Sequence, residues 1–290
     1  MKNIDGLQQN YSLAPRTSWK IGGVAEYFYE PLSLADLKLL LRDWKIRPIT
    51  VLGAGTNVLV RDGGIKGLVV YVKDRLHELQ ELDNFTLRAE AGVGLARLVQ
   101  KCLRLGMIDA VFLTGIPGTV GGALAMNAGS HGDYIWNHVT AVETINSNGE
   151  VKLRSAQEFM VNYRQVVGLA EEEWFVSAQL VFARGDKHSM EQQVSEYLRR
   201  RKKSQPLDLP SCGSVFRNPP NNYAARLIEA SGLKGRRIGG AKISEKHANF
   251  IVNCGGATAV DVEALMQEVV DIIVKNYGVR LVPEVHILGN

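Results

Sequence analysis

With 290 residues, 46% of them hydrophobic and 22% charged, the chain has the make-up of a globular protein of about two domains. Its 34 basic and 30 acidic residues leave a net charge of +4, too mild for a nucleic-acid binder. No apolar run nears the roughly 20 residues that span a bilayer, no signal peptide opens the chain, and Cys102, Cys212 and Cys254 are too scattered for a zinc site or a disulfide framework, so the expected compartment is the cytoplasm.

Residues 25–30 read as a strand stopped by Pro31, and Ser33 then starts a helix with Leu37, Leu40, Leu41 and Trp44 on one face. Ile49-Thr50-Val51-Leu52 reads as a buried strand feeding Gly53-Ala54-Gly55-Thr56-Asn57. A short strand and turn over 58–64, strands over 68–71 and 86–90, and a helix over 95–105 closed by Gly106 follow. The glycine-rich stretch from Gly115 to Gly129 comes next and reads as a loop. Beyond it, 139–145 and 151–153 form a hairpin across Ser147-Asn148-Gly149. Ser155 and Glu158 have capping-box spacing and open a short helix, so Tyr163-Arg164 sits between that helix and a loop. A strand over 174–183 leads to a helix near 189–203, whose basic end suits the negative pole of the helix dipole. After a linker at 206–210 come helices at 223–230 and 260–277, a strand at 250–252 and a last strand at 281–288. The fold class is α+β throughout, in two or three lobes.

The two glycine segments carry the strongest chemical signal. At glycine, backbone N–H groups approach a ligand closely, and a run of them forms a concavity for an anion such as phosphate. Two such segments, one leaving a strand, point to a nucleotide with a pyrophosphate; a pair of tight turns would leave the same pattern. No G-x-x-x-x-G-K-[ST] occurs, and Val58 stands where the third glycine of G-x-G-x-x-G belongs, so neither a P-loop nor an ordinary dinucleotide crossover is expected.

Five other positions bear reactive or ligand-type side chains. Ser214, in Gly213-Ser214-Val215-Phe216-Arg217-Asn218-Pro219, suits an acid or hydrogen-bond donor beside an anionic substrate, although a polar loop would read alike, and it is not in a G-x-S-x-G elbow. Arg164 offers a planar fork for carboxylate or phosphate, or is a surface arginine. Glu284 is a carboxylate within an apolar strand, so it faces solvent or has a functional partner. His247, like Lys242, could touch a substrate or decorate a turn. Six histidines without metal-ligand spacing speak against a metal.

Taken together, these segments resemble the UDP-N-acetylenolpyruvoylglucosamine reductase family, flavoenzymes of peptidoglycan precursor synthesis, over nearly the whole chain. The likeness runs through Thr17-Ser18-Trp19-Lys20-Ile21-Gly22-Gly23, Leu52-Gly53-Ala54-Gly55-Thr56-Asn57, Gly115-Ile116-Pro117-Gly118, Gly121-Gly122-Ala123, Met126-Asn127-Ala128-Gly129, Tyr163-Arg164, 213–219, Lys246-His247-Ala248 with Phe250-Ile251-Val252-Asn253, and Pro283-Glu284-Val285. It implies a two-lobed FAD-binding domain of the vanillyl-alcohol-oxidase type, with lobes at 1–73 and 74–204. A smaller α+β substrate-binding domain at 205–290 would follow, its last strand returning to the active site.

The resemblance also implies roles. FAD, bound without a covalent link, would lie on Gly53, Ala54, Gly55, Thr56, Asn57, Gly115, Ile116, Pro117, Gly118, Gly121, Gly122, Ala123, Asn127 and Gly129. NADPH would be the co-substrate and a UDP-sugar enolpyruvyl ether the substrate, with no metal, nucleic acid or membrane involved and a monomer or weak oligomer as the working form. Ser214 would donate the proton, Arg164 and Glu284 would stabilise the intermediate, and Tyr163, Arg217, Asn218 and His247 would contact the substrate. Two departures stand out: Gln165-Val166 lacks the serine usual at the second place, and 164–174 is too short for the tyrosine-bearing loop of the longer subclass. Another FAD oxidoreductase of this fold, acting on an alcohol or hydroxy acid, or a nucleotide-sugar binder without catalysis, are the alternatives.

Overall fold

The computed structural model describes residues 4–83 and 85–290, and these divide into two units whose segments interleave along the sequence. The first holds the chain up to Gln8, Tyr27–Ala54 and Gly67–Arg199; the second holds Gln9–Glu26, Gly55–Lys66 and Arg200–Asn290.

In the first unit, helix α1 (Leu34–Asp43) begins where Ser33 is extended and its hydroxyl accepts the Asp36 N–H at 3.1 Å, a cap worth about 1 kcal/mol. Leu37, Leu40 and Leu41 recur at helical spacing and bury with Trp44, Leu68 and Val70 in one core. Strand Ile49–Leu52 adds to that core by pairing in parallel with Leu68 to Tyr71. Helix α2 (Leu95–Leu105) buries Leu95, Leu98, Val99 and Cys102 and closes on Gly106 in the left-handed region. It serves a second core under an antiparallel sheet of order Val151–Ser155, Val139–Asn146, Glu173–Val181, Thr86–Glu90, Leu79–Glu81.

The glycine-rich stretch departs from its reading as a loop, because residues Val120–Met126 form helix α3. Gly121 and Gly122 each cost about 1 kcal/mol of helix propensity relative to alanine. Tertiary bonds override that cost. Val120 N–H donates to the Val93 carbonyl and Gly121 N–H to the Ala91 carbonyl, both at 2.9 Å. The helix lies so close that a Cβ on Gly121 would sit 2.8 Å from the Ala91 methyl. Thr119 caps α3, and Asn127 ends it at φ 41°.

The segment around Tyr163-Arg164 also differs. The expected short helix is a single 3-10 turn, Ala156–Glu158, with the foreseen capping box. Strands Met160–Asn162 and Gln165–Val167 then pair as a hairpin, and Tyr163-Arg164 is its two-residue turn, with Arg164 at φ 55°. Helix α4 (Lys187–Ser204) leaves the first unit and enters the second.

In the second unit, α5 (Ala224–Ala230) and α6 (Ala259–Tyr277) back a three-stranded antiparallel sheet of Arg237–Ile238, Ala241–Ile243 and Ile251–Asn253. The reciprocal bonds of Thr258 and Asp261 cap α6, and Val262, Leu265, Met266, Val269 and Ile273 form its buried stripe. Two segments distant in sequence complete the core. Trp19, Ile21 and Leu59 are buried in it, and the Trp19 indole donates to the Ile251 carbonyl at 2.7 Å. Strand Val58–Val60 pairs in parallel with His286–Leu288. The Asp62 carboxylate accepts the Ala259 and Val260 N–H groups, and Arg61 pairs with Glu263 at 2.9 Å. The last strand is therefore shorter than the expected 281–288. Pro283, lacking an N–H, interrupts the ladder, and 282–284 instead run antiparallel to 215–217.

Candidate active site

Within the second unit, Ser214 and Glu284 are brought close by backbone pairing. Phe216 and Pro283 form an antiparallel bridge, Glu284 N–H donates to the Val215 carbonyl at 2.7 Å, and Arg217 N–H donates to Val282. Ser214 is one residue from the bond that holds Glu284. Gly213, at φ 85° with open space around it, lets the chain turn into this segment. Glu284 is half-buried, and its carbonyl is fixed by the Asn57 side-chain amide at 3.1 Å. Burial, reinforced by the Glu284 charge, raises the Cys212 thiol well above its ordinary range. Cys212 is thus a neutral neighbour of the carboxylate and not a nucleophile.

The remaining residues expected on the substrate side behave differently from one another. Asn218 spends its side-chain oxygen on the Ala224 N–H at 3.1 Å, capping α5. The buried Nε of Arg217 makes no hydrogen bond within the protein, while its charge, after burial itself, lowers the His286 imidazole. His247 packs edge-on against Phe250 and accepts the Asn249 N–H at 3.3 Å; burial lowers its pKa.

Arg164 lies in the first unit. Its guanidinium donates from Nη1 to the Asn127 carbonyl and from Nη2 to the Gly129 carbonyl, and stands 5.2 Å from the Tyr163 ring. Around the second glycine segment, Leu95 N–H ties down the Gly118 carbonyl at 3.0 Å and Gly115 takes φ 77°. Pro117 follows Ile116, whose N–H donates to Leu113.

Whether these segments suit a pyrophosphate-bearing cofactor can be tested on their own atoms. Thr114 Oγ1 and Asn127 Oδ1, at either end of the second segment, are buried without a protein hydrogen-bond partner. In the first segment, the Ala54 and Gly55 N–H groups find no carbonyl acceptor among the described residues. A Cβ on Gly122 would meet nothing nearer than Thr119 Oγ1 at 3.7 Å, so that face of α3 is open. The Thr114 hydroxyl and the Ala54 and Gly55 N–H groups are unsatisfied donors of the kind an anionic cofactor requires, whereas Asn127 Oδ1 is an acceptor that would need a donor from the ligand. The N–H groups of Val120 and Gly121, by contrast, are already used inside the protein. Gly53 and Ala123 pack against Thr119 and the α3 core, respectively.

Comparison with known proteins agrees with this geometry. Residues 205–288 match the family model for the C-terminal domain of UDP-N-acetylenolpyruvoylglucosamine reductase, and residues 25–153 match an FAD binding domain. A UDP-N-acetylenolpyruvoylglucosamine reductase of Coxiella burnetii is 48% identical over 97% of this chain and 95% of its own length. One from Methylococcus capsulatus is 51% identical over 96% and 91%.

The chain belongs to the UDP-N-acetylenolpyruvoylglucosamine reductase family.

The crystal structure of the Thermus caldophilus reductase superposes with a TM-score of 0.83 at 31% identity, covering 98% of both chains. The two-domain α+β architecture of that family is therefore the architecture here. As a family member the chain is a UDP-N-acetylmuramate dehydrogenase of peptidoglycan precursor synthesis, an oxidoreductase that uses FAD and NADPH. Among the described residues, no helix is long and apolar enough to cross a membrane.

Reading the sequence alone missed Asn249, which is 4% exposed and bonds both backbone groups of Phe216. Asn127, expected on the FAD side, also donates its amide to the Asn162 carbonyl at 3.1 Å. The one available signal for Asn249 was an amide side chain flanked by Ala248 and Phe250, since a buried amide must find partners.

Proposed function

We propose that, in the reduction of the enolpyruvyl group of the UDP-sugar, Ser214 is the proton donor and Glu284 and Arg164 stabilise the electron-rich centre that develops beside the substrate carboxylate. When bound, the flavin supplies the hydride; the protein's own task is to place a proton and compensate charge. The observation that carries this reading is the backbone bond from Glu284 N–H to the Val215 carbonyl, which fastens the carboxylate segment one residue from Ser214.

A serine hydroxyl is a weak acid. It acts only where hydride arrival has made the adjacent carbon strongly basic, and there a positioned donor is worth roughly 10²–10⁴-fold. Glu284 is fastened beside the Ser214 segment, and as the neutral acid it would donate a hydrogen bond to the developing charge. Arg164 spends Nη1 and Nη2 on the Asn127 and Gly129 carbonyls, which fix its place on the turn, and what it would bring to the substrate carboxylate is its charge. In the first unit, Ala54 and the open face at Gly122 would receive the FAD pyrophosphate, with the Thr114 hydroxyl as a donor. The reaction is placed in the cytoplasm, a setting that suits the three free cysteines.

Stopped-flow absorbance of the flavin follows the two half-reactions separately. In Ser214→Ala, reduction by NADPH should keep its rate, while reoxidation by the enolpyruvyl substrate slows by roughly 10²–10⁴-fold or more. Equal slowing of both halves would remove Ser214 from the role of acid.

A further inference from the structure

We propose that Asn249 is a positioning residue for the proton-transfer step, acting through the backbone that carries Ser214; this rests on the assignment of Ser214 as proton donor. Asn249 sits at the end of a tight turn. There the Ser244 hydroxyl accepts the Lys246 and His247 N–H groups, Phe250 N–H donates to His247, and Ser244 N–H donates to Phe250. The turn points the amide inward, where its Oδ1 accepts the Phe216 N–H at 3.0 Å and its Nδ2 donates to the Phe216 carbonyl at 2.8 Å. The Asn249 carbonyl also accepts the Val215 N–H at 2.8 Å.

Three bonds from one residue therefore fix the two residues that follow Ser214, on the edge opposite the Glu284 strand. Asn249 and Phe216 are only 4% and 2% exposed, so water cannot replace these bonds. The segment is clamped on both sides: by Glu284 N–H on Val215 and by Asn249 on Val215 and Phe216. A displacement of about 1 Å in a reacting group can cost about 10²-fold in rate, and this clamp is what prevents it at Ser214.

The amide both accepts and donates at fixed places and does not titrate. This makes Asn249→Asp informative. An ionised carboxylate still accepts the Phe216 N–H but faces the Phe216 carbonyl without a proton, whereas the protonated acid reproduces both bonds. Burial raises the pKa of such a carboxyl.

The test uses the full-length, FAD-loaded enzyme. In Asn249→Asp at pH 8, flavin reduction by NADPH should match the parent enzyme. Reoxidation by the enolpyruvyl substrate should be slower by about 10²-fold and should recover toward the parent rate as the pH falls. Introduced into Ser214→Ala, the same change should slow reoxidation no further, since two residues acting through one step are not additive. Unchanged reoxidation in Asn249→Asp, equal slowing of both half-reactions, or the same slowing in both Ser214 backgrounds would each overturn the proposal. If Ser214→Ala alone leaves reoxidation intact, it is the Ser214 assignment that fails instead. Should Asn249→Asp not fold, Asn249→Ser, which lacks the reach to hold both Phe216 groups, is read by the same ratio of half-reactions, without the pH recovery.

Discussion

The Arg164 guanidinium grips the carbonyl of Asn127, at 3.2 Å, while the Asn127 amide reaches back to the Asn162 carbonyl beside the same turn. The hairpin turn and the end of α3 are thus locked reciprocally, with Gly129 held by the second guanidinium nitrogen. An arginine proposed to meet the substrate is also a structural tie to a segment expected to hold the flavin.

Arg164→Ala should consequently have two effects. Reoxidation by the substrate should slow through loss of about 2.7–4 kcal/mol of charge stabilisation, by analogy with a single oxyanion donor. Bound flavin should decline modestly as the end of α3 loosens. Arg164→Lys should restore neither fully, because an ammonium cannot bridge two carbonyls with a planar fork. Half-reaction rates normalised to flavin content separate the two; a loss wholly explained by flavin content would leave Arg164 a structural residue.

Two glycines that look alike in the sequence should respond in opposite ways. Gly55 takes φ 64°, and a Cβ there would run into the Arg16 carbonyl, so Gly55→Ala should lower the melting temperature of the apoprotein itself. Gly122 is helical with room for a methyl. Gly122→Ala should therefore hold or raise apoprotein stability, by up to about 1 kcal/mol, yet reduce FAD occupancy. Calorimetry of the apoproteins beside flavin absorbance of the purified holoproteins checks this. Full occupancy in Gly122→Ala would mean that the cofactor does not approach α3 there.

Acidification should destabilise the second unit before it affects the carboxylate pairs of the first. Folding lowers the imidazole pKa of His247 and of His286 from 6.5, chiefly by burial, so the native state favours the neutral ring. Their contribution is fully present above the unfolded value and is lost as pH falls through the lower folded values. Glu143 and Glu173 have folded values below 4.5 despite burial, because Ser177 and Arg88 bond the first and Thr144 and Arg154 the second. Their loss comes only below that ordinary carboxylate value. Urea unfolding between pH 7 and pH 5 should show falling stability, and the His247→Gln, His286→Gln double variant should flatten the slope.

Asp62→Ala should remove the bonds to Ala259 and Val260 at the first turn of α6 and destabilise the protein by about 1 kcal/mol, the usual worth of a helix cap. Asp62→Asn, which retains an accepting oxygen, should recover most of it. Equal melting temperatures for Asp62→Ala and the parent would show that water replaces the carboxylate at this helix end.

Where local rules and burial agree, the sequence was legible. Ser33 and Gly106 mark helix ends that the structure keeps, and the 139–155 hairpin turns at the Asn-Gly pair. Helix α3 was not legible, since its glycines argue against a helix and only the distant Ala91 and Val93 carbonyls make it one. The 160–167 hairpin has three-residue strands, too short to show a period. At the candidate site, Ser214 and Glu284 could be named one by one from their motifs. Their adjacency depends on an antiparallel bridge between segments some 70 residues apart, and the Asn249 clamp depends on a turn that has no strong sequence signature.

The parallel pairing of Val58–Val60 with His286–Leu288 bears on how the chain is made. Arg61 and Gly289, bonded in the native protein, are 228 residues apart in sequence. During synthesis the first of these strands leaves the ribosome long before its partner exists, and its apolar Leu59 must wait exposed or be shielded by a chaperone. The long closure adds little to the equilibrium cost, which grows only with the logarithm of loop length. It falls instead on the order of events: the second unit cannot complete this pairing until residues 286–288 have been made, after the whole sequence of the first unit.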